Sequence, residues 1–279
     1  MKVIKAKYAG ACYGVQRALD IALKAAESSE KAHTLGPLIH NPLVVRELAS
    51  AGVDEISSVG EISPGETVII RSHGVTPQVM RDVEAKTDKV LDATCPFVAA
   101  AQKAAFMLAS KYGCVIVVGE EGHPEVEGLT ARANEADARV IVAAAPADLP
   151  DDVYDPVGIV VQTTQQRNAL DAIVAALRKQ GINPDVKNTI CTATSQRQEA
   201  AVDLAGRVDA VVVIGGRNSS NTTRLASICK AACARTYHIE SPDEIDPLWF
   251  ADCEVVGVTA GASTPEVQIA TVVEKLERL

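Results

Sequence analysis

Three cysteines are the residues whose type and spacing indicate chemistry in this chain. Cys12, Cys95 and Cys191 each precede an alanine-rich segment with a helical pattern. Pro96 suits the first turn of such a helix, where its missing N–H leaves no hydrogen bond unmade. The first turn of a helix carries a partial positive charge, which favours a thiolate over a thiol. The three positions therefore suit metal ligands or nucleophiles better than inert core residues.

Each of these cysteines is followed at the same interval by a polar loop. The loops at His40, His123 and Ser219 each lie 28 residues after the cysteine that precedes them. A second register is looser, with polar turns after β-branched runs at 71–77, 162–165 and 259–266. Together the two registers predict a threefold repeat of about 90 residues, degenerate in sequence.

Short β-branched runs alternate with amphipathic segments along the whole chain. The runs are 67–70, 115–118, 157–161, 211–214 and 255–258. They are too continuously apolar for half-exposed strands, so they predict parallel βαβ units. We therefore expect an α/β fold with three similar domains, 1-95, 96-190 and 191-279. Ligands collect beyond the carboxyl ends of parallel strands, so three such domains facing a common centre would enclose one site.

Three cysteines without a fourth partner suit an iron–sulfur cluster in which one iron has no protein thiolate. Zinc sites usually contain closer pairs such as C-x2-C, which the sequence lacks. An iron with an open position can bind a substrate oxygen as a Lewis acid while the cluster supplies electrons. The alternative is that all three cysteines are small core residues. Cys114, Cys229 and Cys233 are predicted to be structural, and Cys253 carries no signal.

The polar loops are rich in hydrogen-bond donors with little fixed charge. Such groups, together with N–H groups at helix N-termini, suit a multiply anionic ligand such as a diphosphate. The donors are His40, Asn41, His73, His123, Thr163, residues 218–223 and Ser263. The alternative for the run at 218–221 is an ordinary helix cap.

Glu125 is the predicted proton donor. It stands two residues after His123, in the only one of these loops that has a carboxylate close to its histidine. A buried glutamate beside a reducible substrate can deliver protons. A solvated acid in the first turn of a helix, favoured there by the helix dipole, is the alternative, and it describes Glu127 better.

Charge and hydropathy limit the partners and the cellular compartment that the sequence predicts. A formal net charge of −9 argues against a general nucleic-acid-binding surface. The first residues lack the apolar core of a signal peptide, and no apolar run reaches the ~18 residues that would cross a bilayer. We therefore expect a cytoplasmic protein with no membrane partner, in which the seven cysteines are ligands, catalytic groups or core thiols rather than disulfides.

Nearly the whole chain resembles the 4-hydroxy-3-methylbut-2-enyl diphosphate reductases of the non-mevalonate isoprenoid pathway. The motifs that carry the resemblance are Cys-Tyr-Gly-Val at 12–15, Gly-Pro-Leu-Ile-His-Asn at 36–41, Arg-Ser-His-Gly-Val at 71–75, Asp-Ala-Thr-Cys-Pro at 92–96, Gly-His-Pro-Glu-Val-Glu-Gly at 122–128, Gln-Thr-Thr at 162–164, Thr-Ile-Cys at 189–191, Asn-Ser-Ser-Asn at 218–221 and Thr-Ala-Gly-Ala-Ser at 259–263. So many motifs in the same order do not coincide by chance.

The resemblance implies three α/β domains in pseudo-threefold arrangement around a central, oxygen-sensitive 4Fe-4S cluster. It implies that Cys12, Cys95 and Cys191 hold three irons and that the substrate hydroxyl binds the fourth, with Glu125 as the proton source. The residues implied to bind the diphosphate or position the substrate are His40, His73, His123, Thr163, Ser219, Ser220, Asn221 and Ser263. Electrons would come from a ferredoxin or a flavodoxin.

One residue departs from the family pattern, and two other functions stay open at this point. Tyr13 follows the first cysteine, where family members commonly carry a small residue. The first rival is another three-cysteine iron–sulfur enzyme such as a quinolinate synthase, whose open iron binds a carboxylate substrate. The second is a non-redox protein that binds a phosphate ligand and has its cysteines in the core.

Overall fold

The computed structural model describes residues 1–27 and 31–279, and in this part of the chain twelve strands form three four-stranded sheets. The strands are β1 (Lys2–Lys5), β2 (Ala32–Leu35), β3 (Val53–Ile56), β4 (Thr67–Ile70), β5 (Val90–Asp92), β6 (Cys114–Val118), β7 (Arg139–Ala143), β8 (Gly158–Val161), β9 (Asp185–Lys187), β10 (Ala210–Ile214), β11 (Thr236–Ile239) and β12 (Val255–Ala260). The α-helices are α1 (Tyr13–Ala26), α2 (Pro42–Ser50), α3 (Pro77–Glu84), α4 (Pro96–Tyr112), α5 (Pro124–Asn134), α6 (Arg167–Lys179), α7 (Thr192–Ala205), α8 (Ser220–Ala232) and α9 (Glu266–Glu277).

All three sheets are parallel and have the same strand order. The orders are β3-β2-β4-β5, β7-β6-β8-β9 and β11-β10-β12-β1. Strands β4, β6, β8 and β10 are buried along their whole length, as continuous β-branched runs require in a parallel sheet covered on both faces. The predicted α/β fold with three similar parallel sheets is confirmed.

The first strand of the chain completes the last sheet. Strand β1 pairs with β12, with Lys2 opposite Val255 and Lys5 opposite Val258, and it takes the place that β5 and β9 take in the other two sheets. The division 1-95, 96-190 and 191-279 stays a prediction as a set of domain bounds. The strand pairing differs from it in assigning β1 to the sheet of 210–260, because only its pairing partner shows which sheet a short N-terminal strand joins.

The constant interval of 28 residues has a simple structural origin. Strands β2, β6 and β10 end at Leu35, Val118 and Ile214, each 23 residues after a cysteine, and the polar residue follows 5 positions later. Each interval therefore contains one helix and the strand that follows it, which lies in a different sheet from the strand before the cysteine, and the helix and strand together occupy the same length of chain each time.

The chain divides into two compact units. The terminal unit comprises residues 1–16, 39–47 and 192–279, and the central unit comprises 17–38 and 48–191. The sheet that contains β1 belongs to the terminal unit, and the sheets that contain β6 and β4 belong to the central unit. Among the described residues, no helix has both the length and the apolar character needed to span a membrane.

Candidate active site

In the central unit, two cysteines are fixed by their own backbone to loops that follow a strand. The Cys95 N–H donates to Ser72 O at 2.9 Å, and the Cys191 N–H donates to Thr163 O at 2.9 Å. Ser72 follows β4 and Thr163 follows β8, the third strand of each sheet. Both cysteines therefore lie at the carboxyl edge of a sheet, where parallel α/β proteins bind ligands.

Glu125 and Thr163 form a buried pair in the same unit. Glu125 is 1% exposed, and its two carboxylate oxygens accept from one residue: Oε1 from the Thr163 N–H at 2.6 Å and Oε2 from the Thr163 hydroxyl at 2.9 Å. Because the Thr163 carbonyl also binds Cys191, this one threonine connects the predicted acid to a predicted cluster ligand.

His73 and His123 lie side by side, with ring centroids 5.8 Å apart and ring planes at 82°. His123 caps α5, and its Nδ1 accepts from the Glu125 N–H at 3.1 Å. An Nδ1 that accepts leaves the proton of a neutral imidazole on Nε2, so His123 can present that N–H to an anion. His73 sits in a turn that Arg71 closes through Nε to Gly74 O at 3.2 Å. Burial lowers the pKa of Arg71, while the charges of two nearby glutamates oppose that shift.

The segments that lead into Cys95 and Cys191 share a type of turn that was not predicted from the sequence. Oδ1 of Asp92 accepts from the Thr94 N–H at 2.8 Å, and Oδ1 of Asn188 accepts from the Ile190 N–H at 3.1 Å. An Asp or Asn side chain that binds the backbone two residues on makes an Asx turn. The signal was present in the sequence, because an Asp or Asn stands three residues before both cysteines.

In the terminal unit, Cys12 has the same kind of anchor. Its N–H donates to Ala262 O at 3.1 Å, in the loop after β12, the third strand of that sheet. No Asp or Asn precedes Cys12 at the corresponding position, so this segment has no Asx turn. The chain bends at Gly10 instead, which has φ +100°. This backbone conformation strains residues that have a Cβ atom.

His40 and Ser263 meet in the terminal unit. The Ser263 hydroxyl donates to His40 O at 3.2 Å, and Nδ2 of Asn41 donates to Ser263 O at 2.8 Å and to Oε1 of Gln268 at 3.0 Å. Oδ1 of Asn41 accepts from the N–H of Leu43 at 3.1 Å, in the first turn of α2. Asn41 therefore acts as a structural connection between two polar loops.

The Asn-Ser-Ser-Asn segment combines a cap with a free amide. The Ser219 hydroxyl caps α8 by accepting from the Thr222 N–H at 3.3 Å, so the helix-cap interpretation is correct for this residue. Asn221 is 4% exposed, and neither its Oδ1 nor its Nδ2 has a hydrogen-bond partner among the described residues. A Cβ on Gly216 would lie 2.5 Å from His40 O, so glycine allows these two loops to approach.

Three of the four cysteines outside the repeat are core thiols in the structure, and the fourth, Cys253, is partly buried. Cys114 and Cys229 are fully buried, and Cys233 is buried beside α8. Burial raises the pKa of Cys114, and it raises that of Cys229 to about 12, an effect to which the neighbouring Cys233 adds. Burial also raises the pKa of Cys253. Cys12, Cys95 and Cys191 likewise form no disulfide, but they are partly exposed, in contrast to Cys114, Cys229 and Cys233.

The predicted site residues are divided between the two units. The central unit brings together His73, His123, Glu125 and Thr163, with Cys95 and Cys191 anchored to the same loops. The terminal unit holds Cys12, His40, Ser219, Ser220, Asn221 and Ser263. Within either unit, the described residues contain no group of three or more His, Cys, Asp and Glu side chains that could hold a metal ion. The predicted three-cysteine ligand set therefore draws on both units.

Comparison with known proteins identifies the family. A family model described as LytB protein matches residues 3–277. The chain belongs to the LytB family. The 4-hydroxy-3-methylbut-2-enyl diphosphate reductase of Geobacter sp. (strain M21) is 44% identical over 282 residues, covering 100% of this chain and 98% of that protein. The reductase of the same name from Geobacter sulfurreducens is 45% identical over 277 residues, covering 99% and 97%.

Solved structures agree with the LytB assignment. A structure of (E)-4-hydroxy-3-methyl-but-2-enyl diphosphate reductase, titled as the terminal enzyme of the non-mevalonate pathway, is 41% identical, with a TM-score of 0.74 and full coverage of both chains. The E-1-hydroxy-2-methyl-but-2-enyl-4-diphosphate reductase of Plasmodium falciparum shares the fold, with a TM-score of 0.89, 24% identity and coverage of 98% and 87%. LytB membership confirms the family resemblance seen in the sequence and removes the quinolinate synthase alternative.

The contrast between buried and partly exposed thiols is testable by alkylation. We expect iodoacetamide at pH 8 to modify Cys12 in the folded, cluster-free protein and to leave Cys229 unmodified, because Cys229 is inaccessible and a pKa of about 12 leaves about one thiolate in ten thousand at that pH. Mass spectrometry of peptides measures both sites. In the control, the urea-unfolded chain should label at both cysteines, and equal labelling of the two in the folded chain would contradict the assignment.

Proposed function

We propose that this LytB-family chain reduces (E)-4-hydroxy-3-methylbut-2-enyl diphosphate to isopentenyl diphosphate and dimethylallyl diphosphate. The reaction breaks the allylic C–O bond, forms a C–H bond, consumes two electrons and two protons, and releases water. Full-length similarity at 44% identity to reductases of that name supports the assignment. A cytoplasmic setting suits seven cysteines that form no disulfide, and a ferredoxin or a flavodoxin is the proposed electron donor.

A 4Fe-4S cluster held by Cys12, Cys95 and Cys191 is the proposed cofactor. The donor set fits, because all three residues are partly exposed cysteines outside any disulfide that each precede a helix, and thiolates are the ligands of such clusters. The positive end of each helix stabilises the thiolate form that ligation needs. When bound, the cluster supplies electrons and an iron with an open position for the substrate hydroxyl.

The connection through Thr163 is the single observation that carries the proposal. One residue holds both carboxylate oxygens of Glu125 through its N–H and hydroxyl, and holds the Cys191 N–H through its carbonyl. A carboxyl group fixed in this way beside a cluster ligand is positioned, once it has taken up a proton, to pass that proton to a substrate bound there and return to the carboxylate. The buried position of Glu125 excludes bulk water from competing for that proton.

The remaining polar side chains suit the diphosphate. Nε2–H of His123 and the amide of Asn221 are donors without fixed charge, and each donor to a charged oxygen contributes on the order of 1.5–3 kcal/mol. We assign the same role to His40, His73, Ser219, Ser220 and Ser263. Neutral donors bind the diphosphate in the substrate and in the product equally well, so they hold the ligand without favouring either.

Anaerobic reconstitution with iron and sulfide tests the function. We expect the native protein to become coloured and to reduce 4-hydroxy-3-methylbut-2-enyl diphosphate with a low-potential electron donor, and we expect Cys95→Ser to lose turnover. Absorbance measures the cluster, and chromatography of the two products measures turnover. A coloured native protein without turnover would point to another iron–sulfur enzyme, and a colourless one to a binding protein with core cysteines.

Glu125→Gln tests the proton donor. The amide keeps the shape of the side chain but has no acidic proton, so we expect turnover to fall at least about 100-fold, the lower end of general acid catalysis. Cluster absorbance and substrate binding should be retained. Glu127→Gln is the matched control, because Glu127 is an exposed acid in the same helical turn. Similar turnover in the two variants would reject the role of Glu125.

Thr163→Val separates the hydroxyl of Thr163 from its backbone bonds. Valine keeps the N–H to Glu125 and the carbonyl to Cys191, and it removes only the donor to Oε2. We expect turnover to fall by about tenfold or more, because one hydrogen bond to a charged group is lost. Thr163→Ser keeps the hydroxyl and should retain most of the activity. If valine were tolerated as well as serine, the hydroxyl would have no part in positioning Glu125.

A further inference from the structure

Two arginines bind the backbone immediately before two of the three cluster cysteines. Arg17 lies on α1, which begins directly after Cys12, and Arg197 lies on α7, which begins directly after Cys191. Neither residue belongs to the polar loops assigned to substrate. Their common feature is that the guanidinium groups donate to main-chain carbonyl oxygens.

In the central unit, Arg17 binds the segment that enters Cys95. Its two terminal nitrogens donate to Asp92 O at 3.2 Å and to Thr94 O at 3.3 Å. These carbonyls belong to the Asx turn that precedes Cys95. A planar guanidinium that spans both ends of the turn resists its opening, because the fork geometry of the donors is rigid.

In the terminal unit, Arg197 binds the segment that enters Cys12. Its Nε and one terminal nitrogen donate to Gly10 O at 3.1 Å and 2.6 Å, and the other terminal nitrogen donates to Ala193 O at 2.8 Å within its own helix. Arg197 is buried. The forked contact fixes a glycine that has φ +100° and no Asx turn to hold it.

The segment that enters Cys191 shows how a loop is held without an arginine. The Thr189 hydroxyl donates to Val161 O and accepts from the Val161 N–H at 2.9 Å, so a side chain within the loop itself binds the end of β8. The corresponding positions before Cys95 and Cys12 are Ala93 and Gly10, whose side chains cannot form such bonds. The two arginines are therefore found at the two segments that lack this threonine.

We propose that Arg17 and Arg197 are positioning residues that hold the backbone entering Cys95 and Cys12, respectively, and thereby slow the release of iron from the cluster. The proposal rests on the three-cysteine cluster of the proposed function. Apart from the Ala193 carbonyl that Arg197 binds within its own helix, the carbonyl partners of each arginine lie within three residues before one cysteine, so we expect each arginine to act mainly on that cysteine.

Hydrogen exchange on the cluster-loaded protein and on the cluster-free protein tests this assignment. Lysine keeps the charge and removes the fork, so Arg197→Lys should speed exchange in the peptide that contains Gly10–Cys12 by about tenfold or more, as expected for loss of a bond to a charged donor. It should leave the peptide that contains Ala93–Cys95 unchanged. Arg17→Lys should give the opposite pattern. Release of iron to a chelator should be faster in both variants.

Two control variants change other cationic side chains in or just after the same helices. Arg207→Lys makes the same replacement just after α7 and loses only surface bonds to Asp203, and Lys24→Gln removes a charge from the last turn of α1, a larger change in charge than the test variants make. Neither should alter exchange before the cysteines or the release of iron. Arg17 is only partly buried, so its variant tests the proposal even where Arg197→Lys fails to fold.

The outcomes separate this proposal from the proposed function. The proposal is overturned if the arginine variants release iron at the native rate and show native hydrogen exchange before both cysteines. That result leaves the reductase assignment intact. Faster exchange spread over the whole chain indicates loss of general stability and also overturns the proposal. A native protein that takes up no cluster refutes the proposed function. The exchange pattern of the cluster-free protein does not bear on that function and still tests whether the arginines hold the backbone.

Discussion

One hydrogen bond, made three times, determines where the chemistry of this fold can occur. The N–H groups of Cys12, Cys95 and Cys191 donate to carbonyl oxygens in the loops that follow β12, β4 and β8. Those loops lie at the carboxyl edges of three parallel sheets with one strand order. Each bond brings the start of a helix to the end of a strand, and the helix that begins after each cysteine directs the positive end of its dipole toward the thiol. Without these bonds, the backbone of the cysteines would not be anchored to the carboxyl edges of the sheets.

The repeat explains why the polar loops could be predicted from the sequence although the three sheets have little sequence in common. The helix after each cysteine and the strand that follows it, in the next sheet, occupy a constant length, so a polar residue after that strand recurs at a constant interval from the cysteine. The same reasoning could not assign β1 to a sheet. A strand of four residues with no fixed interval to its partner carries no sign of which sheet it joins, and its pairing with β12 depends on chain folding over more than 200 residues.

Candidate side chains can be chosen from the sequence where residue type restricts the chemistry, but not where a role depends on contacts between distant residues. The three cysteines and Glu125 stand out by type, and the structure places Glu125 in a buried position that agrees with its predicted role. Thr163 was chosen only as a hydrogen-bond donor, and its connection between an acid and a cysteine appears only when two distant loops are in contact. Arg17 and Arg197 carry no sequence signal, because an arginine that binds main-chain carbonyls looks like any surface arginine of a helix.

Two asparagines show how hydrogen bonding separates structural from ligand-binding groups. Asn41 and Asn221 are 2% and 4% exposed and both lie in polar loops of the terminal unit. The amide of Asn41 is used on both sides, by donation to Ser263 O and by acceptance from helix N–H groups, so it has little capacity for a ligand. The amide of Asn221 makes no hydrogen bond with the described residues, which costs about 1–3 kcal/mol for each buried group left unsatisfied. A bound ligand would remove this cost, and we propose that a diphosphate oxygen beside Nδ2 does so.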